Sequence, residues 1–311
     1  VRVLLLVNSS ASSVTARTRV VIAKALSADH DVAVADTSRR GHAVRLAASA
    51  AADGFDVVAV LGGDGTLNEA ANGLAGTDTA LAPLPGGSTN VFARTIGLPN
   101  DAVEAVGVTL DALAAGSTRR IGLGRVNDRW FLFHVGMGFD AAVVEQVERR
   151  GDLKRWVSHP LFVASAVDTY FRHFDRSRPR LASHLPDGRL IDDGYVAVCL
   201  NSNPYTYLGS RPLDIAPTAT LHRGLVLVTV RSMRLDVLLR LVGASLLRRR
   251  GGGRWVHQAT DLDRCTVTGH GPLPYQVDGD FLGEAERLEL THVPAALTLV
   301  TPPARPASAL R

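Results

Sequence analysis

The apolar positions of this 311-residue chain change rhythm a little over a third of the way along. Up to about residue 118, short apolar runs at 3–7, 32–35, 57–61 and 80–84 carry little polar alternation. That is the pattern of strands buried on both faces of a parallel sheet. Between them the spacing is helical. Ser12 or Ser13 is placed to cap a helix reaching Leu26, with Val14, Val21, Ala25 and Leu26 inward. An Ala-rich helix over 41–52 stops at Gly54, another runs 66–74, and Asn100 is placed to cap a helix ended by Gly116. Strands alternating with helices this regularly predict a doubly wound α/β sheet, whose ligands sit at the carboxyl ends of the strands.

Beyond residue 118 strands dominate. A hairpin is expected over 119–126 and 130–135, turning at Asn127-Asp128, and helices over 141–150, 158–173 and 235–250. The segments 180–185, 195–200, 225–230, 264–268, 273–277, 287–291 and 297–300 read as strands. The expectation is an α/β chain of two domains: a doubly wound domain over 1–118, then an antiparallel β-sandwich with inserted helices over 119–301. The Pro-rich tail, 302–311, is expected to be disordered.

Composition narrows the function classes. A balance of 34 Lys+Arg against 30 Asp+Glu leaves +4, too little to argue for nucleic acid but suited to an acidic ligand or an anionic membrane surface. Cys199 and Cys265 lie in strand-like runs without metal-ligand spacing, which fits a reducing cytosol. The opening run is too short for a secretion signal, and no window of about 18 apolar residues could span a bilayer.

The chemistry gathers after the 57–61 run, at Gly62-Gly63-Asp64-Gly65-Thr66-Leu67-Asn68-Glu69. Strand, glycine turn and helix hold phosphate: glycines bring backbone N–H groups close, and the helix start adds positive partial charge. Asp64 would repel that phosphate unless a divalent cation sits between them, so the stretch suggests a Mg-nucleotide site. A second turn follows the next strand, Pro85-Gly86-Gly87-Ser88-Thr89-Asn90-Val91-Phe92-Ala93-Arg94. Both turns and Thr37 are expected at one sheet edge. Late in the chain, Asp278 and Asp280 flank Gly279, a spacing that serves either a hairpin turn or paired carboxylates. Asp140 opens a helical run and could cap it.

These two turns, together with Gly136-Met137-Gly138-Phe139-Asp140 and Val277-Asp278-Gly279-Asp280, make the chain resemble the diacylglycerol kinase and sphingosine kinase superfamily from Val3 to about Val300. The first turn alone is shared with NAD kinases. The second is more specific to the lipid-kinase branch. The resemblance implies a three-layer first domain, a β-sandwich second domain, ATP in the cleft between them, and transfer of its γ-phosphoryl group to a lipid hydroxyl, most simply that of diacylglycerol. It also implies residue roles. Thr37, Gly62, Gly63, Asp64, Gly65, Thr66, Leu67 and Thr89 would line the nucleotide, with Asn8 reaching it. Asp64 and Asp140 would organise Mg2+, Asp278 would flank the attacking hydroxyl, and Asp280 would be the base.

Four departures stand against the family pattern. Asp280 replaces a glutamate, Val91 replaces an aspartate, Arg223-Gly224 replaces an Asp-Gly pair tied to a structural Mg2+, and Asn8-Ser9-Ser10-Ala11 lacks the usual Asn-Pro and glycine. The alternatives are therefore a NAD kinase-like enzyme, or a nucleotide- or lipid-binding module with weak catalysis. The implied setting is cytoplasmic, peripheral to the inner face of the membrane, and a homodimer is left open. The segment 235–250, with its leucines, Arg240 and Arg248 to Arg250, reads either as a membrane-facing helix or as one packed on the sandwich. The apolar stretch 156–174 suits core or lipid-pocket wall.

Overall fold

A computed structural model describes residues 1–149, 158–247 and 253–303. The chain forms two compact units: Val1–Ile121 with Ala295–Arg311, and Gly122–Pro294.

The first unit is built on parallel strands β1 (Arg2–Val7), β2 (Asp31–Asp36), β3 (Val57–Gly62) and β4 (Ala80–Pro85), ordered β2-β1-β3-β4. Helices α1 (Ala16–Ser27), α2 (His42–Ala52), α3 (Asp64–Leu74), α4 (Val91–Thr95) and α5 (Ala102–Ala114) connect them. Alternate residues of a strand face opposite sides. Val3, Leu5, Val57, Ala59 and Leu61 accordingly join Ile22 and Leu26 of α1 and Ala105 and Val106 of α5 in one cluster. Leu4, Leu6, Val58 and Val60 are buried on the other face, the side of α2 and α3. This is a three-layer α/β unit.

Local chemistry departs from expectation in three places. Thr15, not Ser12 or Ser13, caps α1 by accepting from the Thr18 amide, so Ile22 turns inward and Val21 outward. Asp101, not Asn100, caps α5 by accepting from the Val103 and Glu104 amides. As the edge strand, β2 is largely exposed rather than buried on both faces.

The second unit begins within β5 (Thr118–Val126), which pairs with β6 (Arg129–Phe131). β7 (His134–Gly138) leads into α6 (Phe139–Arg149), and α7 (Ser158–Asp168) continues as a wider turn over Thr169–His173. β8 (Leu181–His184), β9 (Leu190–Gly194), β10 (Val196–Leu200), the small hairpin β11 (Thr206–Leu208) and β12 (Arg211–Leu213), β13 (Leu225–Val230), α8 (Leu235–Leu246), β14 (Val256–Leu262), β15 (Arg264–Val277) and β16 (Asp280–Val300) follow. The ladder β14-β13-β10-β7-β15-β16 is antiparallel, with β8 on β15 and β9 on β8.

One core of this unit joins Ala197, Cys199 and Leu227 to Cys265, Val267 and Leu288. The opposite faces of β10 and β13 (Val196, Val198, Val226 and Val228) carry a second cluster with Tyr170, Tyr205 and Met233. Two strands are thus buried on both sides, which is why 196–200 and 225–230 read as unbroken apolar runs.

The four expected late strands are two long ones. β15 passes 264–277 with two register shifts against β16, which runs 21 residues. The last residues of β16 also leave the second unit. Leu299 pairs with Leu81 of β4 and the Thr301 amide donates to the Ser117 carbonyl, so the second unit closes at Pro294 rather than 301. Residues 304–311 of the expected tail, 248–250 of the expected last helix and 150–157 lie outside the described residues.

Candidate active site

In the first unit, four loops leave the carboxyl edge of the parallel sheet together. Strand register places Val7, Asp36 and Leu61 level with one another, and Gly62 beside Pro85. The next residues, Asn8 and Thr37, are tied to that edge: the Asn8 amide donates to the Leu61 carbonyl and the Thr37 amide to the Val7 carbonyl, each at 2.9 Å. Asn8 Nδ2 donates to Thr66 Oγ1 at 2.8 Å.

The two glycine turns lie backbone against backbone. The Gly86 amide donates to the Gly62 carbonyl at 2.8 Å. A Cβ on Gly87 would stand 2.8 Å from the Gly63 Cα, and one on Gly86 would stand 3.0 Å from the Gly62 nitrogen. Side chains cannot occupy Gly86 and Gly87 without moving the first turn, so the second motif's glycines are required by that close approach. Asn90 holds the second turn: its side chain accepts from the Gly87 amide at 2.8 Å and donates back to the Gly87 carbonyl at 2.9 Å. Asn100 binds Asn90 there instead of capping α5. Gly63, the residue preceding α3, offers no side-chain cap to the helix. First-turn amides left without a side-chain cap can take an anion.

Asp64 is where sequence reasoning and geometry diverge. Its carboxylate accepts from the Val91 amide at 2.8 Å and the Phe92 amide at 3.1 Å, which ties the start of α3 to the start of α4. Burial raises its pKa, while those two amides and the Arg94 charge act in the opposite direction. The negative charge that seemed to demand a cation thus already meets two backbone donors. Glu69, in the same motif, accepts from the Gly41 and Ala43 amides at the start of α2. Thr89 lies half-buried in the second turn, beside Asn90.

The second unit holds the remaining candidates. Asp278 and Gly279 have φ of 50° and 87° and join Val277 to its partner Asp280, the two-residue hairpin geometry that Asp-Gly favours. Asp278 is buried, and its carboxylate accepts from the Leu132, Phe133 and His134 amides at 2.7, 3.0 and 2.9 Å. It anchors a backbone segment and has no accessible edge for a hydroxyl. Asp280 opens β16 with its side chain 22% exposed and Arg129 at 3.7 Å.

Gln276, absent from the sequence expectations, completes the arrangement. Its Oε1 accepts from the Gly279 amide and its Nε2 donates to Asp140 Oδ2, both at 2.8 Å. The Tyr205 hydroxyl donates to the other Asp140 oxygen. Asp140 therefore serves side chains rather than the start of α6. Burial raises its pKa against the pull of Tyr205 and Gln276, and burial together with Asp140 raises that of Tyr205. The Tyr205 ring packs 4.4 Å from that of His134, whose pKa burial depresses to about 3, leaving it neutral.

The structure gathers Asn8, Thr37, Gly62, Gly63, Asp64 and Thr66 at one edge of the first unit. In the second it links Asp140, Gln276 and the 278–280 turn. Among the described residues, no group of three His, Cys, Asp or Glu side chains comes together to hold a metal. Each oxygen of Asp64 and Asp140 already takes one donor but keeps a lone pair. Each carboxylate, within its own unit, therefore suits contact with a hydrated Mg2+ rather than a caged ion.

The model of the diacylglycerol kinase catalytic domain matches residues 2–126. A Mycobacterium tuberculosis diacylglycerol kinase is 32% identical over 83% of the chain and 80% of its own length. A YegS-like lipid kinase of Pseudomonas putida is 29% identical over 87% of the chain and 85% of its own. A diacylglycerol kinase structure from Bacillus anthracis shares the fold with TM-score 0.72 at 19% identity, covering 97% of both chains. A NAD kinase from Archaeoglobus fulgidus, solved with ATP, has TM-score 0.54 at 11% identity, covering 97% of this chain and 94% of that one. At these identities both structures speak for the fold alone.

Proposed function

The chain belongs to the diacylglycerol kinase family, and from that premise we propose that it transfers the γ-phosphoryl group of Mg-ATP to a membrane lipid alcohol, with diacylglycerol as the acceptor. The observation that carries this reading is the pair of interlocked glycine turns. They present a helix start without a side-chain cap at a sheet edge where Asn8 and Thr37 also emerge. Phosphoryl transfer asks the protein mainly to position the groups and neutralise charge. Gly62, Gly63, Gly65, Thr66 and Leu67 would hold the phosphates, with Asn8, Thr37 and Thr89 beside them. Mg2+ enters with ATP as part of the substrate and screens the phosphate charge. Asp64 of the first unit and Asp140 of the second are the carboxylates proposed to act on it.

Asp280 is the base in this reading. It takes the proton of the lipid hydroxyl as the oxygen–phosphorus bond forms and the bond to the ADP leaving oxygen breaks. Asp278 is moved from the reacting centre to a positioning role, because its carboxylate is spent on three amides. Arg129 stands 3.7 Å from Asp280 as its ion-pair partner. In this reading the enzyme works in the cytoplasm, at the inner face of the membrane.

The test uses labelled ATP with diacylglycerol, sphingoid bases and NAD as separate acceptors in mixed micelles. Asp280→Ala is expected to lose about 10²-fold or more in kcat, and Asp64→Ala to lose nucleotide affinity as well. Lipid turnover undiminished in both variants overturns the site. Phosphorylation of NAD and of no lipid would instead select the NAD kinase reading, and nucleotide binding without turnover the weakly catalytic one.

A further inference from the structure

Two helical stretches of the second unit carry apolar side chains on their solvent side. On α8, Val237 is buried and Leu238 and Leu241 pack on the cluster that holds Tyr205 and Met233. The other side of the helix presents Leu235, Leu239 and Val242, with Leu239 63% exposed. The spacing i, i+4, i+7 makes them one stripe. On α7 and the turn after it, Val163, Val167 and Phe171 repeat the pattern at i, i+4, i+8, with Phe171 62% exposed. The two stretches are neighbours, because the Tyr170 hydroxyl donates to the Met233 carbonyl at 2.8 Å, two residues before α8. The sequence alternatives for these segments, core packing or contact with lipid, thus divide between the faces of the same helices.

Charge says what covers the exposed side. Beside the α7 stripe, Arg172, Arg176 and Arg178 stand against Asp168 and Asp175, and the Arg176 guanidinium lies over the rings of Tyr170 and Phe171. At α8, Arg234 and Arg240 share the carboxylate of Asp236, and the sequence continues into Arg248-Arg249-Arg250. Leucine, valine and phenylalanine tips bordered by excess arginine are the chemistry of a helix that lies in a lipid interface. The apolar tips enter the acyl boundary while guanidinium forks reach lipid phosphates.

We propose that α7, the 169–173 turn and α8 form the surface by which this protein docks on an anionic bilayer. This rests on the lipid-kinase reading only in that such an enzyme must meet a substrate dissolved in the bilayer.

Sedimentation with vesicles of phosphatidylcholine and phosphatidylglycerol, without ATP, tests it on the full chain. Wild type is expected to pellet with the anionic mixture, and more weakly as salt rises. Leu239→Glu and Phe171→Glu, both at exposed positions, are expected to bind at least tenfold more weakly while keeping their activity on lipid in detergent micelles. Wild type remaining in the supernatant, or both variants pelleting as wild type does, overturns the proposal. So does a wild-type dimer that Leu239→Glu converts to monomer, since the face would then belong to a second copy. Micellar lipid phosphorylation without vesicle binding removes the docking surface and leaves the kinase reading standing. Vesicle binding without phosphorylation does the reverse.

Discussion

The two Asp-Gly turns of this protein, Gly63-Asp64-Gly65 in the first unit and Asp278-Gly279 in the second, use the same residues for different physical reasons. In the first, space is the constraint, and it falls on the facing turn: a Cβ on Gly87 would stand 2.8 Å from the Gly63 Cα, whereas one on Gly63 would meet only ordinary contact at 3.4 Å. In the second, glycine is required by conformation, since Gly279 has a φ of 87° but nothing within 4 Å of where a Cβ would be. The aspartates also share a habit and differ in depth. Asp64 gathers two amides at a half-buried edge, whereas Asp278 gathers three in the interior. An acid beside a glycine at a strand end is therefore not by itself a metal ligand or a base. Its first use here is to join two stretches of backbone.

Substitutions separate these cases. The largest effect is expected at Asp278→Ala, which strands three buried amides. A loss of about 3–5 kcal/mol should appear as a large fall in Tm, with Asp278→Asn recovering part of it. Gly87→Ala forces the two turns of the first unit apart at a cost of about 1–3 kcal/mol, and calorimetry should show weaker ATP binding. Equal ATP affinity in Gly87→Ala would show that the interlock does not shape the phosphate site. Gly279→Ala carries only conformational strain, about 1–2 kcal/mol, and Gly279→Asn less, with ATP affinity unchanged in both.

The smallest effect belongs to His134. Its folded pKa is about 3 against an ordinary 6.5, so between those values the unfolded chain takes a proton that the folded chain refuses. Stability is therefore lost as pH falls through that window, by about 1 kcal/mol over the first unit below pH 6.5. His134→Leu should flatten this part of a pH series of denaturant midpoints. An unchanged slope would mean that the ring is accessible to protons.

Much of the first unit was legible because its signals are local. Unbroken apolar runs, helical spacing and the two glycine turns each lie within about ten residues, and the sheet follows from their order. The caps were misplaced by one to three residues because several Ser, Thr, Asn and Asp side chains compete at each helix start. Asn100 could not be read as the partner of Asn90 without knowing that the second turn folds back. In the second unit the decisive partners are remote. Asp278 and Leu132 are 146 positions apart, and Asp140 and Gln276 are 136 apart, so no spacing rule connects them. The Asp-Gly hairpin was visible. That its aspartate is consumed by another strand's amides was not.

The return of β16 to β4 has a consequence for how the protein is made. The second unit is an insertion between residue 121 and residue 295, and the first unit receives the Leu299–Leu81 pairing and the Gly76–Ala296 hydrogen bond only from the end of the chain. On the ribosome, β4 therefore waits as an unpaired edge while more than half of the polypeptide is still being synthesised. The unit that starts first finishes last, and that interval is when the nascent chain is most open to mispairing with another copy.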